Sequence, residues 1–434
     1  MKAIVVRKSR GLKGMITVPG DKSITHRAII LGSLARGTTV VKGYLPSEDC
    51  LHTASAFRLM GIPIEEGKRG GDELPELRIV GKGLRGLSEP SAVLDLGNSG
   101  TALRLLTGVL AGRDFFSVVT GDESLCRRPM RRVVAPLRQM GAEIHGRQDG
   151  NLAPLAVCGR RLKGIAYALP VASAQVKSAL LLAGLLAVGR TVLTEPLPSR
   201  DHTERIFRGM GIPLEIQGTD LLLDPPSEFS GREIQVPGDL SSAAFFIVAA
   251  TIVKNSELTI RNVGVNPTRT GLLELLSEMG ADIRLENRRE FNHEPVADLV
   301  VRSRPLKGIR VPPESVPKTI DEFPILCVAA AVAEGETMIR GAEELRVKES
   351  DRIRTISQEL SKMGADLEEL PDGLLIRGGR KLSGARCAGH GDHRIAMALA
   401  VAGLSADGET TVEGADWIAT SFPGFEQLLK SVSA

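Results

Sequence analysis

The sequence is poor in aromatic residues and in cysteine. Phe, Trp and Tyr make up 3% of the 434 residues, so base stacking on aromatic side chains is not expected. The five cysteines are scattered, odd in number and never spaced as C-x-x-C. This pattern argues against a disulfide framework and a structural zinc site, and it favours a reducing cytoplasm.

The chain also lacks a marked excess of one charge and a long apolar run. Lys and Arg number 55 against 52 Asp and Glu, a formal net charge of +3, which is too balanced for a dedicated nucleic-acid binder. Any binding of anions must therefore come from local clusters of cations. No segment is apolar for long enough to span a bilayer, and we expect neither a signal peptide nor a transit peptide at residues 1–14.

Five Met-Gly pairs recur, each after a helical pattern and before a short apolar strand. They are Met60-Gly61, Met140-Gly141, Met210-Gly211, Met279-Gly280 and Met363-Gly364. A helix whose last apolar residue is Met and which is stopped by a left-handed Gly explains this recurrence. The pattern indicates one α/β unit repeated along the chain.

Six further segments are rich in small apolar residues on every side, which predicts buried helices. They are residues 27–37, 101–112, 178–189, 242–252, 325–335 and 394–403. Six α/β units most simply form two lobes of three. The sequence VPGD occurs twice, at 18–21 and at 236–239, where the chain could pass between lobes. We therefore predict one lobe at 21–238, a second at 1–20 plus 239–434, and a two-strand hinge at the VPGD copies.

The starts of the buried helices carry cations and small polar residues. A helix N-terminus attracts anions through its free N–H groups and its dipole, so polar residues there suggest a site for anionic ligands. We expect Arg127 and Arg128 to precede a helix whose first residue is Pro129, and Lys348 and Arg352 to share one helix face. The other candidates at these starts are Lys22, Ser23, Arg27, Asn98, Gly100, Ser173, Gln175, Ser199, Arg200 and Arg394. Any one of them could instead be a solvated surface residue.

Carboxylates are fewer at these positions. Asp321 is either an N-cap or a functional carboxylate, and Glu349 is either an ion-pair partner of Arg352 or a proton donor. His390, Asp392 and His393 resemble part of a metal site, but no further ligand cluster lies near them in sequence, so we do not expect metal.

Seven motifs together resemble the 5-enolpyruvylshikimate-3-phosphate (EPSP) synthase family. They are Lys22-Ser23 with Arg27, GNSGTALR at 97–104, RRP at 127–129, ASAQ at 172–175, RVKESDR at 346–352, GDHRIAMA at 391–398 and SFPGFE at 421–426. The resemblance implies an α/β fold of two lobes, each of three βαβαββ repeats, an inside-out α/β barrel that closes over its substrates. It also implies transfer of the enolpyruvyl group of phosphoenolpyruvate to the 5-hydroxyl of shikimate-3-phosphate, on the pathway to chorismate.

The resemblance assigns roles to the candidate residues. Asp321, Glu349 and Lys22 would be catalytic, with Asp321 acting on the hydroxyl and Glu349 on the methylene carbon. The residues implied for shikimate-3-phosphate are Lys22, Ser23, Arg27, Ser173, Ala174, Gln175, Ser199, Arg200, Asp321 and Lys348. Those implied for phosphoenolpyruvate are Lys22, Asn98, Gly100, Arg128, Gln175, Arg352 and Arg394. Ala174 and Arg200 stand where better-known members have serine and lysine, and Gly100 is the residue of glyphosate-sensitive members.

The resemblance further implies no cofactor, no metal, no nucleic-acid or membrane partner, and a cytoplasmic monomer. Two alternatives remain open at this point. UDP-N-acetylglucosamine enolpyruvyl transferases share the fold and donor, but they have Lys-Asn in place of Lys22-Ser23 and a reactive cysteine at the position of Glu123. A non-catalytic binder of polyanions or RNA ends would bind RNA in a salt-sensitive manner and release no phosphate.

Overall fold

The computed structural model describes residues 2–67 and 74–433 of the chain. Its strands are β1 (Ala3–Arg7), β2 (Lys13–Thr17), β3 (Arg36–Lys42), β4 (Ile64–Glu66), β5 (Glu76–Lys82), β6 (Leu94–Asp95), β7 (Phe116–Thr120), β8 (Glu143–Gly146), β9 (Leu152–Cys158), β10 (Ala166–Ala168), β11 (Thr191–Thr194), β12 (Leu214–Gln217), β13 (Asp220–Leu223), β14 (Glu233–Gln235), β15 (Glu257–Gly264), β16 (Asp282–Phe291), β17 (Glu294–Arg302), β18 (Glu336–Ile339), β19 (Asp366–Leu370), β20 (Gly373–Arg377), β21 (Arg386–Ala388) and β22 (Glu409–Glu413).

The helices alternate with these strands along the chain. They are α1 (Lys22–Leu34), α2 (Glu48–Leu59), α3 (Gly100–Ala111), α4 (Arg131–Gln139), the single left-handed turn α5 (Arg147–Gly150), α6 (Ala174–Gly184), α7 (His202–Gly209), α8 (Leu240–Ile252), α9 (Gly271–Glu278), the single turn α10 (Val316–Thr319), α11 (Phe323–Val332), α12 (Arg352–Lys362), α13 (His393–Gly403) and α14 (Phe425–Val432). Short 3₁₀ turns lie at Leu125–Arg127, Pro313–Ser315, Glu343–Val347 and Ala415–Thr420. No helix within the described ranges is both long and apolar enough to cross a membrane.

The Met-Gly pairs end five helices as predicted. In α2, α4, α7, α9 and α12 the methionine follows the last helical residue directly and its side chain is buried. The five glycines that follow have φ between 72° and 101°, a backbone region that favours glycine because it has no Cβ. The predicted helix ending is confirmed in all five copies.

The six segments rich in small apolar residues are buried helices, as predicted. They correspond to α1, α3, α6, α8, α11 and α13. In α8 every residue except the last is buried, and in α13 all residues are buried. Helices that are apolar on every side are stable only where neighbouring elements cover them completely, so these six form the centres of the two hydrophobic cores.

The strands form six small sheets, and the predicted α/β class is confirmed. In strand order the sheets are β14-β3-β5-β4, β6-β7-β9-β8, β10-β11-β13-β12, β16-β17-β15-β2, β18-β20-β19 and β1-β22-β21. The first three repeat one pattern, in which a parallel pair is followed by two antiparallel pairs. Repetition of this pattern matches the repeat expected from the sequence.

The chain divides into two compact units, each with three of the sheets. Unit 1 comprises the residues up to Pro19, Pro237–Arg289 and the residues from Pro295 onward. Unit 2 comprises Gly20–Val236 and Glu290–Glu294, so the divisions at 19/20 and 236/237 fall inside the two VPGD sequences. The predicted second lobe, 239–434, includes the tip of the β16–β17 hairpin. In the structure residues 290–294 at this tip belong to unit 2, because their polar groups bond to other residues of that unit. There the Nδ1 atom of His202 lies 2.7 Å from a carboxylate oxygen of Glu294.

Candidate active site

The first VPGD copy leads into α1, where Lys22 and Ser23 were predicted to bind an anion. Asp21 caps the helix by accepting a hydrogen bond of 2.8 Å from the amide of Ile24, so Ser23 is not the cap. The ammonium of Lys22 lies 3.0 Å from Oδ2 of Asp49 on α2, and its side chain is 19% exposed. The start of α1 thus presents a cation and a hydroxyl on a capped helix end.

Arg27 lies one turn further along α1 and is buried. Its Nε atom donates to Thr203 Oγ1 at 2.7 Å, and Nη2 donates to Ser178 Oγ at 2.7 Å. Its Nη1 atom donates to the carbonyl of Ser23 at 2.9 Å. Burial lowers the pKa of Arg27 to about 10, which leaves it charged at neutral pH. This guanidinium therefore connects α1 to α6 and α7.

The start of α3 carries Asn98 and Gly100, and Arg128 lies beside them. Arg128 donates to the backbone and side-chain oxygens of Asn98, while Asn98 Nδ2 donates to Asp122 at 2.7 Å. A Cβ atom at Gly100 would lie 3.2 Å from Nη1 of Arg128, so this guanidinium approaches the glycine closely. The structure thus brings these three predicted residues together.

The prediction that Pro129 begins a helix is wrong. Helix α4 begins at Arg131, with Met130 in the capping position, and Arg127 ends a 3₁₀ turn. Pro129 therefore lies in the connection between two helical segments. Arg127 is exposed and pairs with Glu123, whereas Arg128 turns inward toward Asn98.

The start of α6 carries Ser173, Ala174 and Gln175. Ser173 is the N-cap and accepts a hydrogen bond from the amide of Val176 at 3.5 Å. Gln175 joins α6 to α3, because its Oε1 accepts from Arg104 at 2.8 Å and its Nε2 donates to Thr101 at 3.0 Å. Polar side chains therefore hold the N-terminal ends of these two buried helices together.

Ser199 and Arg200 lie on the loop between β11 and α7. The backbone N–H and the hydroxyl of Ser199 both donate to Oε1 of Glu195, the former at 3.2 Å. Both side chains of this pair of loop residues are partly exposed. Since α7 also contacts Arg27 through Thr203, this loop belongs to the same polar region of unit 2.

In unit 1 the buried guanidinium of Arg352 gathers three carboxylates. Its nitrogen atoms lie 2.6 Å from Glu349, 2.8 Å from Asp392 and 3.6 Å from Asp321. Burial lowers the pKa of Arg352, but the negative charges of Asp392, Glu349 and Asp321 outweigh burial and raise it above its ordinary value. Arg352 is therefore a permanent cation at the start of α12.

Asp321 and Lys348 are positioned differently from the simplest sequence expectations. Asp321 is not an N-cap, since Glu322 occupies that position of α11. The carboxylate of Asp321 lies 4.0 Å from Nη2 of Arg394. Lys348 does not share a helix face with Arg352. Helix α12 begins only at Arg352, so Lys348 precedes it, and its ammonium lies 3.1 Å from Glu344.

The second VPGD copy ends in a helix start that is covered by protein. Asp239 caps α8 by accepting from the amide of Ser241 at 3.0 Å. Arg269 donates to the hydroxyl of Ser241 at 2.6 Å, and that hydroxyl donates in turn to Glu322. Ser241 is 3% exposed, so this copy is a structural helix start rather than an open anion site.

The His390, Asp392 and His393 group does not form a metal site in the described part of the chain. Asp392 caps α13 and accepts hydrogen bonds from Arg352 and Ser350, while Nε2 of His390 lies 2.7 Å from Glu359. Among residues 2–67 and 74–433, no group of three His, Cys, Asp or Glu side chains is arranged to hold an ion.

Sequence reasoning missed Asp49 and Arg104, and it considered Asp392 only as part of a possible metal site. These residues contact the predicted site residues Lys22, Gln175 and Arg352. For Arg104 and Asp392 the available signal was a charged residue inside or directly before a helix rich in apolar residues, because such a charge must find a buried partner. Asp49 gave no such signal, since α2 carries several other polar and charged residues.

The chain is similar to known proteins over nearly its whole length. It matches the family described as EPSP synthase (3-phosphoshikimate 1-carboxyvinyltransferase) over residues 6–429. It is 57% identical to 3-phosphoshikimate 1-carboxyvinyltransferase of Pelotomaculum thermopropionicum, covering 98% of each chain. It is 55% identical to the enzyme of the same name from Geobacter metallireducens over all of both chains. An EPSP synthase structure from Acinetobacter baumannii aligns with a TM-score of 0.88 and 47% identity, covering 99% of this chain and 98% of that one.

Proposed function

The chain belongs to the EPSP synthase (3-phosphoshikimate 1-carboxyvinyltransferase) family, and we propose which of its side chains carry the family's reaction. The enzyme transfers the enolpyruvyl group of phosphoenolpyruvate to the 5-hydroxyl of shikimate-3-phosphate and releases phosphate, in the shikimate pathway. Both substrates are small polyanions, so their binding requires cations and N–H donors.

The proposed shikimate-3-phosphate residues in unit 2 lie at the starts of α1 and α6 and on the loop before α7. They are Lys22, Ser23, Arg27, Ser173, Ala174, Gln175, Ser199 and Arg200, to which Asp321 and Lys348 of unit 1 are added. The observed linkage of α1 to α6 and α7 through Arg27 supports a common role for the first group. Serine hydroxyls and capped helix starts would donate to the phosphate oxygens.

The proposed phosphoenolpyruvate residues include three guanidinium groups. They are Arg128, Arg352 and Arg394, together with Lys22, Asn98, Gly100 and Gln175. Planar guanidinium groups bind carboxylate and phosphate through paired hydrogen bonds, which suits a ligand that carries both groups. Contacts among Asn98, Gly100 and Arg128, and between Arg394 and Asp321, support this assignment.

The reaction needs one proton delivered and one removed. A proton must reach the methylene carbon of phosphoenolpyruvate, and the 5-hydroxyl must lose its proton as its oxygen bonds to C2. The resulting tetrahedral adduct then loses phosphate and a methyl proton, which restores the enol group. We assign Glu349 to the methylene carbon and Asp321 to the hydroxyl, with Lys22 stabilising negative charge. The observation that carries this assignment is that both carboxylates bind one buried guanidinium, that of Arg352.

The first test is release of phosphate from phosphoenolpyruvate in the presence of shikimate-3-phosphate, with UDP-N-acetylglucosamine as the second acceptor. We expect release with the former only. The variant Asp321→Ala should then lower kcat by about 10²–10⁴-fold, the usual contribution of a placed proton-transfer group. Glu336→Ala, which removes an exposed carboxylate of the same unit, serves as the control and should keep full activity. Near-normal turnover by Asp321→Ala would contradict the assignment.

We also propose that the protein acts as a cytoplasmic monomer without a nucleic-acid partner. The nearly balanced charge and the five free cysteines support this proposal. Light scattering should give the mass of one chain, and an RNA-binding titration at low salt should show no saturable binding.

A further inference from the structure

Lys177 is the one charged residue within the largely buried helix α6, and the proposed reaction does not use it. Its side chain is 1% exposed. The ammonium lies 2.8 Å from Oε2 of Glu195 and 2.6 Å from Oε1 of Glu204, and it donates to the carbonyl of Ser199 at 3.4 Å. These three contacts match the three N–H donors of a lysine ammonium.

The partners of Lys177 lie at both ends of one loop. Glu195 directly follows β11, and Glu204 lies in the first turn of α7. The loop between them carries Ser199 and Arg200, which we assign to shikimate-3-phosphate. A single buried cation therefore connects both ends of this loop and the backbone of its middle.

Glu195 also holds Ser199 directly. Its Oε2 faces Lys177, whereas its Oε1 accepts the backbone N–H and the hydroxyl of Ser199. The two oxygen atoms of this carboxylate are thus divided between the buried cation and the loop. Lys177 and Ser199 both donate hydrogen bonds to Glu195. Only a carboxylate, with an acceptor at each oxygen, can accept from both residues at once.

The ammonium of Lys177 and the nearby guanidinium of Arg27 together offset the two negative charges of Glu195 and Glu204. Glu195 and Glu204 are 7% and 6% exposed, and Oε2 of Glu204 has no hydrogen-bond partner among the described residues. Arg27 lies nearby through its bond to Thr203, the residue before Glu204. Removal of Lys177 would leave buried carboxylates with too little positive charge, which is far less favourable than a complete buried ion pair.

We propose that Lys177, with Glu195 and Glu204, is a positioning network that fixes the loop carrying Ser199 and Arg200 for shikimate-3-phosphate. The network acts through the loop and does not touch either substrate. On binding, the hydroxyl of Ser199 rotates from Glu195 to the phosphate, while its backbone N–H stays on Glu195 and keeps the loop in place. This inference rests on the proposed role of the loop in binding shikimate-3-phosphate.

The test is Glu195→Gln in the full-length enzyme, with both substrates titrated separately. An amide cannot replace this carboxylate in either orientation, since its NH₂ group would face either the two donors of Ser199 or the ammonium of Lys177. Loss of a hydrogen bond to a charged group predicts that KM for shikimate-3-phosphate rises about tenfold or more. We expect KM for phosphoenolpyruvate and kcat at saturation to change by no more than about twofold, because the phosphoenolpyruvate contacts are separate.

The matched control is Asp224→Asn. Asp224 directly follows β13 and forms a bidentate pair with Arg190, which directly precedes β11. The control therefore also replaces a carboxylate by an amide, in an ion pair at the opposite end of β11 from Glu195. It should leave both KM values unchanged. Lys177→Met provides a second variant with a larger expected rise in KM for shikimate-3-phosphate, and the circular dichroism of each variant checks its folding.

A purely structural role would lower the fraction of active enzyme, and thus kcat, without a selective change in one KM. Equal changes in both KM values, or an unchanged KM for shikimate-3-phosphate in Glu195→Gln, would overturn the inference. Failure of the wild-type enzyme to release phosphate would instead overturn the proposed function, so the two failures are distinguishable.

Discussion

Stability of unit 2 should fall in mild acid because of His26, a buried residue of α1. Its Nδ1 atom lies 2.8 Å from Thr53 Oγ1, and its Nε2 atom lies 3.4 Å from Ser99 Oγ. The hydroxyl of Thr53 donates to the carbonyl of Asp49 at 3.3 Å, so it accepts from Nδ1–H of His26. Burial, together with the positive charges of Lys22 and Arg27, lowers the pKa of His26 from 6.5 to about 3.

The sign of the effect follows from this lowered pKa. Between pH 6.5 and pH 3 the unfolded chain binds a proton at His26 and the folded protein does not. The contribution of His26 to stability is therefore fully present above pH 6.5 and is lost progressively as the pH falls toward 3. At pH 5, about 1.5 units below the pKa of His26 in the unfolded chain, the free energy of unfolding is lower by about 2 kcal/mol. This corresponds to about a 30-fold change in the unfolding equilibrium.

Hydrogen exchange followed by mass spectrometry can measure this loss within unit 2. Between pH 7 and pH 5, protection factors corrected for intrinsic exchange should fall in the α1 and α2 peptides of the wild type. This fall should be up to about 30-fold larger than in the same peptides of His26→Asn. Asparagine keeps a hydrogen bond to Thr53 and does not titrate. Peptides of α8 in unit 1 serve as an internal control. Equal losses in both proteins would refute the reasoning.

Two further variants test the glycines at the site and at the helix ends. Gly100→Ala places a methyl group 2.8 Å from Nη1 of Arg104 and 3.2 Å from Nη1 of Arg128, so both guanidinium groups must shift. We expect KM for phosphoenolpyruvate to rise about tenfold, since hydrogen bonds of a charged group are disturbed, while urea unfolding remains nearly unchanged. Gly280→Ala forces a residue with φ of 96° into a strained conformation after Met279, although the space is open. It should lower the free energy of unfolding by about 1–2 kcal/mol without changing either KM; an unchanged denaturation midpoint would contradict the cap interpretation.

The local structure could be predicted to a large extent because its determinants are local. Each of the five Met-Gly pairs ends a helix, and the glycine of each pair has a positive φ. Apolar residues on every side predicted the buried helices in the same way. The error at Pro129 arose because a proline fits both a helix start and the connection before one.

The repeat, the helix ends and the cationic residues near the helix starts could be inferred from chain order alone, because these features depend on neighbours within one or two turns. Glu349, three residues before Arg352, could be expected as its partner from the spacing, but the distant partners of these cations follow only from the packing of the folded chain. Arg352 binds carboxylates from three different segments, and Lys177 binds the two ends of one loop. Burial of a charge demands a partner of opposite sign, but folding alone selects which distant residue supplies it.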